Sequence, residues 1–157
     1  MKVNIGITDA HLKKIHALLN NILADANIFY IKLRKFHWNI TGPDFVEYHE
    51  LFEEQYEAVA ETIDEIAERI SQLGGIAIAT TTEFAKFSQL KESAGKIPGE
   101  IQMLKELVGD HEAMIRSLRD AIDKCDEDFK DVGTADFLTD VIRAHEKQAW
   151  KLRQYIK

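Results

Sequence analysis

Apolar side chains recur at spacings of three and four residues along four long stretches of the chain, which is the spacing of one face of an α-helix. The four apolar seams run from Leu12 to Phe36, from Phe45 to Leu73, from Ile101 to Cys125 and from Leu138 to Tyr155. No stretch shows the alternation of apolar and polar residues that is typical of a half-buried strand. The pattern therefore predicts an all-α protein with four long helices.

Along the chain, the first and third connections between these helices are short and the second is long. The turn sequence Thr-Gly-Pro-Asp at residues 41–44 separates the first two helices, and an acidic loop from Asp126 to Gly133 separates the last two. Residues 74–98 carry no long seam, but Thr80 and Glu83 form a capping-box pattern that predicts a short helix. Because short loops join antiparallel neighbours, the order predicts a ferritin-like four-helix bundle with one long crossover, containing a short helix, between helices 2 and 3.

Composition and charge narrow the class of protein. The 157 residues are 45% hydrophobic and 30% charged, so we expect one domain over residues 1–157 with a real core. The formal net charge of -7 repels nucleic acid and attracts cations. Cys125 is the single cysteine, which fits a reducing compartment, and the sequence shows neither a secretory leader pattern nor a membrane-spanning run. We therefore expect a soluble cytoplasmic protein.

Four potential metal ligands fall on one face of the second predicted helix, within an arc of about 100° at about 100° per residue. They are His49, Glu53, Asp64 and Glu68. This arc lies apart from the apolar seam, and two small residues on it, Ala60 and Ala67, would let another helix approach closely. The competing interpretation is an ordinary solvated face, since the helix is rich in glutamate throughout.

The length of the helix decides how such a site could form. At about 1.5 Å per residue, His49 and Asp64 are about 22 Å apart, whereas each ligand of a metal lies about 2 Å from it. Along the helix, the point halfway between His49 and Glu68 is also the point halfway between Glu53 and Asp64. A two-fold axis through this point would exchange the two ends of the helix. An antiparallel copy of the helix would therefore place His49 beside Glu68 of the second copy, and Glu53 beside its Asp64. This arithmetic predicts two identical sites shared between two subunits.

The mixture of ligands indicates a transition metal. His37 lies just before the turn, where the end of the first helix can bring it towards the second. Imidazoles combined with carboxylates suit iron, manganese or zinc better than calcium, and the set favours Fe(II). The Glu-x-x-His pairs of ordinary ferritins are absent, because Val108 and Ile142 precede His111 and His145 by three residues. We expect His111 and His145 to be core residues without metal.

At this point the sequence resembles a known family. The resemblance rests on the segment FHWNITGPDFVEYHELFEEQYEAVAETIDEIAERISQLGG, followed by ATTTEF and HEKQAW. These residues are similar to the Dps family of mini-ferritins, with His37, His49, Asp64 and Glu68 at the spacing of the family. The resemblance implies a homo-oligomer, a hollow dodecamer built from two-fold dimers. It also implies that Fe(II) is oxidised at sites between subunits, preferentially with hydrogen peroxide, and that Fe(III) is stored inside.

The resemblance assigns His37 and His49 to one subunit and Asp64 and Glu68 to its two-fold mate. The family often has Asp where this chain has Glu53, so binding of a second iron by Glu53 stays open. We expect Trp38 to pack as a buried aromatic residue, with a role as electron donor as the alternative. The resemblance also implies acidic pores for iron, for which Asp131 and Asp136 are the best candidates, followed by Asp126 and Asp128.

Two other functions remain open from the sequence alone. One is a DNA-compacting stress protein, for which the termini offer few cations, chiefly Lys2 and Lys157. The other is a metal-free helical assembly. Manganese or zinc could occupy the same ligands as iron, so the sequence does not fix the metal.

Overall fold

The computed structural model describes residues 3–156, and in these residues the regular structure is entirely helical. The helices are α1 (Asp9–Asn39), α2 (Phe45–Gln72), α3 (Thr81–Phe87), α4 (Glu100–Asp123) and α5 (Val132–Tyr155), with a π-helical turn at Lys124–Asp128 after α4. The two hairpins α1–α2 and α4–α5 carry the most extensive packing, and α3 lies against α1 within the crossover. The predicted ferritin-like bundle with its long crossover is confirmed.

Local signals in the sequence set the helix ends. The side chain of Thr8 accepts a hydrogen bond from the backbone N–H of His11, so Thr8 caps α1. Thr80 and Glu83 form the predicted capping box at the start of α3. Gly74 ends α2 with a φ of +78°, a conformation that a residue with a Cβ rarely adopts.

The apolar seams form the core. All eight seam residues of α1 are buried, and they are Leu12, Ile15, Leu19, Ile22, Ala26, Phe29, Leu33 and Phe36. From Tyr48 onwards the seam residues of α2 are buried, except for two that are half-buried. Phe45 is 42% exposed, because the first turn of α2 extends beyond the core. Within residues 3–156 no helix combines the length and the apolar character that a membrane span requires.

The connection between α4 and α5 is shorter than the predicted loop from Asp126 to Gly133. The helix continues through the π-helical turn, where the N–H of Phe129 bonds to the carbonyl of Lys124, and α5 already begins at Val132. Burial of Cys125 in this turn raises the pKa of its thiol to about 11. Cys125 is therefore an unreactive core residue.

Asp131 has a different environment from the one a pore-lining carboxylate needs. It is buried, it caps α5 by accepting the N–H of Thr134, and it forms an ion pair with Arg69 at 3.1 Å. The expectation that Asp131 faces a pore is wrong for the single chain, because both of its oxygens are engaged inside the subunit. Asp136 is exposed.

His111 and His145 are core residues, as predicted. Their Nδ1 atoms lie 2.8 Å apart, and Phe29 packs its ring against the edge of His111. Burial lowers the pKa of His111 well below 6.5, with a further contribution from repulsion by His145, and burial lowers the pKa of His145 to about 4. Both imidazoles are therefore neutral at physiological pH.

Replacing Asp131 with Ala should destabilise the subunit by about 2 kcal/mol, because it removes a helix cap and leaves Arg69 without its partner. Urea unfolding followed by circular dichroism measures this change. The matched variant Asp136→Ala, on the exposed side of the same helix, should change the free energy of unfolding little. Equal effects of the two substitutions would contradict the capping role.

Acid should destabilise the subunit through the His111 and His145 pair. Since their pKa values are lowered in the folded chain, the unfolded chain takes up protons first as the pH falls below about 6.5. The free energy of unfolding should therefore decline from pH 6.5 towards about 4, where His145 itself becomes protonated. In the double variant His111→Leu, His145→Leu this decline should flatten, whereas His11→Ala should retain it.

Candidate metal centre

The turn between α1 and α2 brings His37 and His49 together. His37 lies in the last turn of α1 and is buried, and His49 lies in the second turn of α2 and is half-buried. Gly42 has a φ of +137°, and a Cβ at this position would lie 1.8 Å from Glu100 Oε1. Residues with a Cβ rarely adopt a φ of this sign, so Gly42 permits the tight reversal between α1 and α2.

Each of the two histidines donates a hydrogen bond to the backbone of the other. His37 Nδ1 lies 2.8 Å from the carbonyl oxygen of His49, and His49 Nδ1 lies 2.9 Å from the carbonyl oxygen of His37. A carbonyl oxygen only accepts, so both Nδ1 atoms carry a proton, and in the neutral imidazole each Nε2 atom keeps the lone pair. This is the arrangement that orients metal-binding histidines in proteins.

The two rings are held in place from several sides. They stack on each other with centroids 3.7 Å apart and an angle of 22° between their planes. Phe45 stacks on His49, and Tyr56 places its ring edge-on against His37. The exposure of Phe45 is explained by this contact, since the first turn of α2 covers the histidine pair rather than the core.

Glu53 lies one helical turn after His49 and is engaged by Tyr56. The Tyr56 hydroxyl donates to Glu53 Oε1 at 2.9 Å, which raises the pKa of the Tyr56 phenol. No bond to Oε2 is present among residues 3–156, so Glu53 keeps a second oxygen for another partner. Sequence reasoning missed Tyr56, although its position seven residues after His49 places it on the same side of α2.

Asp64 and Glu68 lie further along α2, on the exposed part of the same helix. Neither has a hydrogen bond or ion pair to another described side chain. Within residues 3–156 of one chain, no three His, Cys, Asp or Glu side chains come together at a possible metal position. The single subunit thus presents an imidazole pair with Glu53 at one end of α2 and two separate carboxylates at the other.

Trp38 is 64% exposed in the single chain, with the guanidinium of Arg34 4.5 Å from its ring centroid. The expectation of buried aromatic packing is therefore wrong for the isolated subunit. Trp38 follows His37 directly in the sequence.

Comparison with known proteins identifies the family. A family model described as a ferritin-like domain matches residues 16–157. A low temperature-induced protein of Nostoc sp. is 45% identical over 99% of this chain and 87% of its own length. DNA protection during starvation protein 2 of Bacillus anthracis is 36% identical over 92% of this chain and 97% of its own length.

The solved structures agree with these relatives. The Dps protein of Vibrio cholerae is 34% identical, superimposes with a TM-score of 0.93, and covers 100% of this chain and 98% of its own. That protein is described as a member of a broad superfamily of ferritin-like diiron-carboxylate proteins. Fold and sequence together show that this chain belongs to the ferritin-like superfamily and, within it, to the Dps family.

Proposed function

We infer that this chain is a ferroxidase and an iron store, which binds Fe(II) as its substrate at sites shared between two subunits and oxidises it preferentially with hydrogen peroxide. One observation carries this proposal. The reciprocal hydrogen bonds of His37 and His49 engage both Nδ1 atoms and leave the Nε2 atom of each ring available, on two rings that stack with centroids 3.7 Å apart. Neutral imidazole nitrogens of this kind bind iron, zinc and copper in proteins.

The missing carboxylates are supplied in this proposal by a second copy of the chain. Asp64 and Glu68 are exposed and without a described partner, and Ala60 between the two ends of the site is exposed as well. An antiparallel pairing of two α2 helices brings His49 of each copy to Glu68 of the other, and Glu53 to its Asp64. His37, His49, Asp64 and Glu68 would then hold the iron, with Glu53 at a second iron position.

The ligand set suits oxidation of Fe(II). The imidazoles bind Fe(II) without adding charge, and the carboxylates stabilise the higher charge of Fe(III) more strongly than that of Fe(II). Two ferrous ions each give one electron to one peroxide molecule, the O–O bond breaks, and its two oxygens take up two protons and leave as water. Because both electrons are delivered at one site, no hydroxyl radical is released.

The product would be stored inside a hollow shell, a dodecamer in the form that the family resemblance implies. Zinc has no redox chemistry, so zinc at the same ligands would inhibit oxidation. Manganese would compete in the same way for the oxygen ligands.

The starvation-protection name of the relatives favours a second candidate, a DNA-compacting stress protein with little ferroxidase activity. The net charge of -7 opposes direct binding to DNA phosphates. The cations considered for it, Lys2 and Lys157, lie outside the described residues. Removal of Fe(II) together with peroxide protects DNA without any contact, so the ferroxidase proposal accounts for the same biological role.

Mixing two inactive variants tests the shared site. His49→Ala and Asp64→Ala should each abolish rapid Fe(II) oxidation, because every site loses a ligand. When the two variants are unfolded and reassembled together in equal amounts, each mixed dimer contains one doubly altered site and one intact site. Random pairing makes half of the dimers mixed, so about a quarter of the wild-type initial rate should return. The rate is measured by ferric absorbance after peroxide is added anaerobically.

The control for this experiment is a mixture of His37→Ala and His49→Ala. In the proposed site, His37 and His49 come from the same chain. Every site in this mixture therefore lacks one of the two histidines, and no activity should return. Recovery in the control, or none in the His49→Ala and Asp64→Ala mixture, would show that the site is not divided between subunits as proposed.

The tautomers of the metal-free protein provide a test that needs no iron. At alkaline pH, ¹⁵N long-range correlation spectra should show Nδ1 protonated and Nε2 unprotonated in both His37 and His49. His111 should show the opposite tautomer, since its Nε2 lies 3.2 Å from the amide oxygen of Gln55. A protonated Nε2 in either His37 or His49 would remove the basis for metal binding there.

A further inference from the structure

Tyr56 contacts both parts of the ligand set that one subunit brings to the proposed iron site. Its ring packs edge-on against His37, with centroids 5.2 Å apart and an angle of 78° between the planes. Its hydroxyl donates to Glu53 Oε1 at 2.9 Å. In the proposed site His37 belongs to the first iron position and Glu53 to the second, so this one side chain connects the two positions.

The ring of Tyr56 is itself held in place by side chains of α1. Tyr56 is half-buried, and Tyr30 packs edge-on against it with centroids 6.0 Å apart. The hydroxyl of Tyr30 accepts a hydrogen bond from Arg34, whose guanidinium lies 5.4 Å from the Tyr30 ring centroid. Because Tyr30 and His37 both contact the Tyr56 ring, the direction in which its hydroxyl points is restricted.

Glu53 differs from its neighbour Glu54 in what its carboxylate contacts. Glu54 is exposed and forms an ion pair with Lys151 at 2.7 Å. Glu53 is half-buried, and within residues 3–156 its carboxylate bonds to the neutral hydroxyl of Tyr56 rather than to a cation. A carboxylate that is partly withdrawn from water favours a cationic partner. The charge of Glu53 is therefore available to a bound metal ion.

We propose that Tyr56 is a positioning residue for the second iron, a role that rests on the proposed function. By engaging Oε1, the Tyr56 hydroxyl limits the orientation of Glu53 and leaves Oε2 as the oxygen that meets the ion. A glutamate side chain has three rotatable bonds, so this restriction reduces the entropy that is lost when iron binds. Hydrogen bonds to ligating carboxylates orient metal ligands in this way in proteins.

Occupation of the second position decides how peroxide is reduced. With two Fe(II) present, each ion gives one electron, the O–O bond breaks, two protons are taken up and two water molecules leave. A single Fe(II) gives only one electron, and the O–O bond then breaks into a hydroxide ion and a hydroxyl radical. Loss of the Tyr56 hydroxyl therefore shifts the site from releasing water towards releasing radicals.

Anaerobic calorimetry with Fe(II) measures both iron positions without any oxidation. The wild-type assembly should bind two Fe(II) per site. Tyr56→Phe keeps the ring and removes the hydroxyl, so the first ion should bind unchanged and the second about 10- to 100-fold more weakly. The matched control Tyr30→Phe removes a hydroxyl that bonds to Arg34 and not to Glu53, so both affinities should remain.

A double-mutant cycle separates the positioning of Glu53 from support of the fold. Spin trapping after addition of Fe(II) and peroxide should give several-fold more hydroxyl radical in Tyr56→Phe and in Glu53→Ala than in wild type or Tyr30→Phe. The double variant Glu53→Ala, Tyr56→Phe should give no more radical than Glu53→Ala alone, because Tyr56 then has no ligand to orient. A further rise in the double variant would show that Tyr56 acts by another route.

The outcomes distinguish this inference from the proposed function. Unchanged binding of both ions in Tyr56→Phe, or binding of only one ion per site by the wild-type assembly, would overturn the role of Tyr56 and leave the shared iron site in place. Absence of any Fe(II) binding by the wild-type assembly would overturn the proposed function, and the role of Tyr56 with it.

Discussion

The hydrogen bonds that His37 and His49 exchange with each other's backbone define the chemistry of this subunit. They span the turn between α1 and α2, and they direct both Nδ1 protons to carbonyl oxygens. In each neutral imidazole the lone pair is consequently on Nε2. The site is thus organised in advance on rigid helices, since one of the two carbonyl groups lies at the end of α1 and the other within α2.

The rigidity of α2 determines which ligands each subunit would contribute to the proposed metal site. A straight helix of this length cannot fold its far carboxylates back to its near histidines, so the chain separates the neutral and charged ligands of one proposed centre by about 22 Å. In the proposed site a second copy of the chain closes that distance. In the proposed arrangement, oxidation therefore begins only after assembly, which would keep Fe(III) from forming on isolated subunits.

The two pairs of histidines, His37 with His49 and His111 with His145, lie in different environments and have different roles. His37 and His49 lie among aromatic rings at the turn between α1 and α2, whereas His111 and His145 lie in the interior of the bundle, where burial keeps them neutral. In the proposed dimer, the carboxylates of the second copy would lie beside the first pair and favour an ion that gains charge during oxidation. The second pair satisfies its own hydrogen bonds inside the subunit, so the same residue type serves the proposed metal site in one place and the packing of the core in the other.

The sequence by itself determined the four long helices, the capping box of α3, the face of α2 that carries the ligands, and the distance that one helix imposes on them. These features depend on periodicity and helix rise, which are local properties. The tertiary structure decided the tautomers of His37 and His49, the use of Asp131 as a buried cap and the exposure of Trp38. Such features depend on how the helices pack and on which backbone groups each side chain reaches, and spacing along the chain does not contain that information.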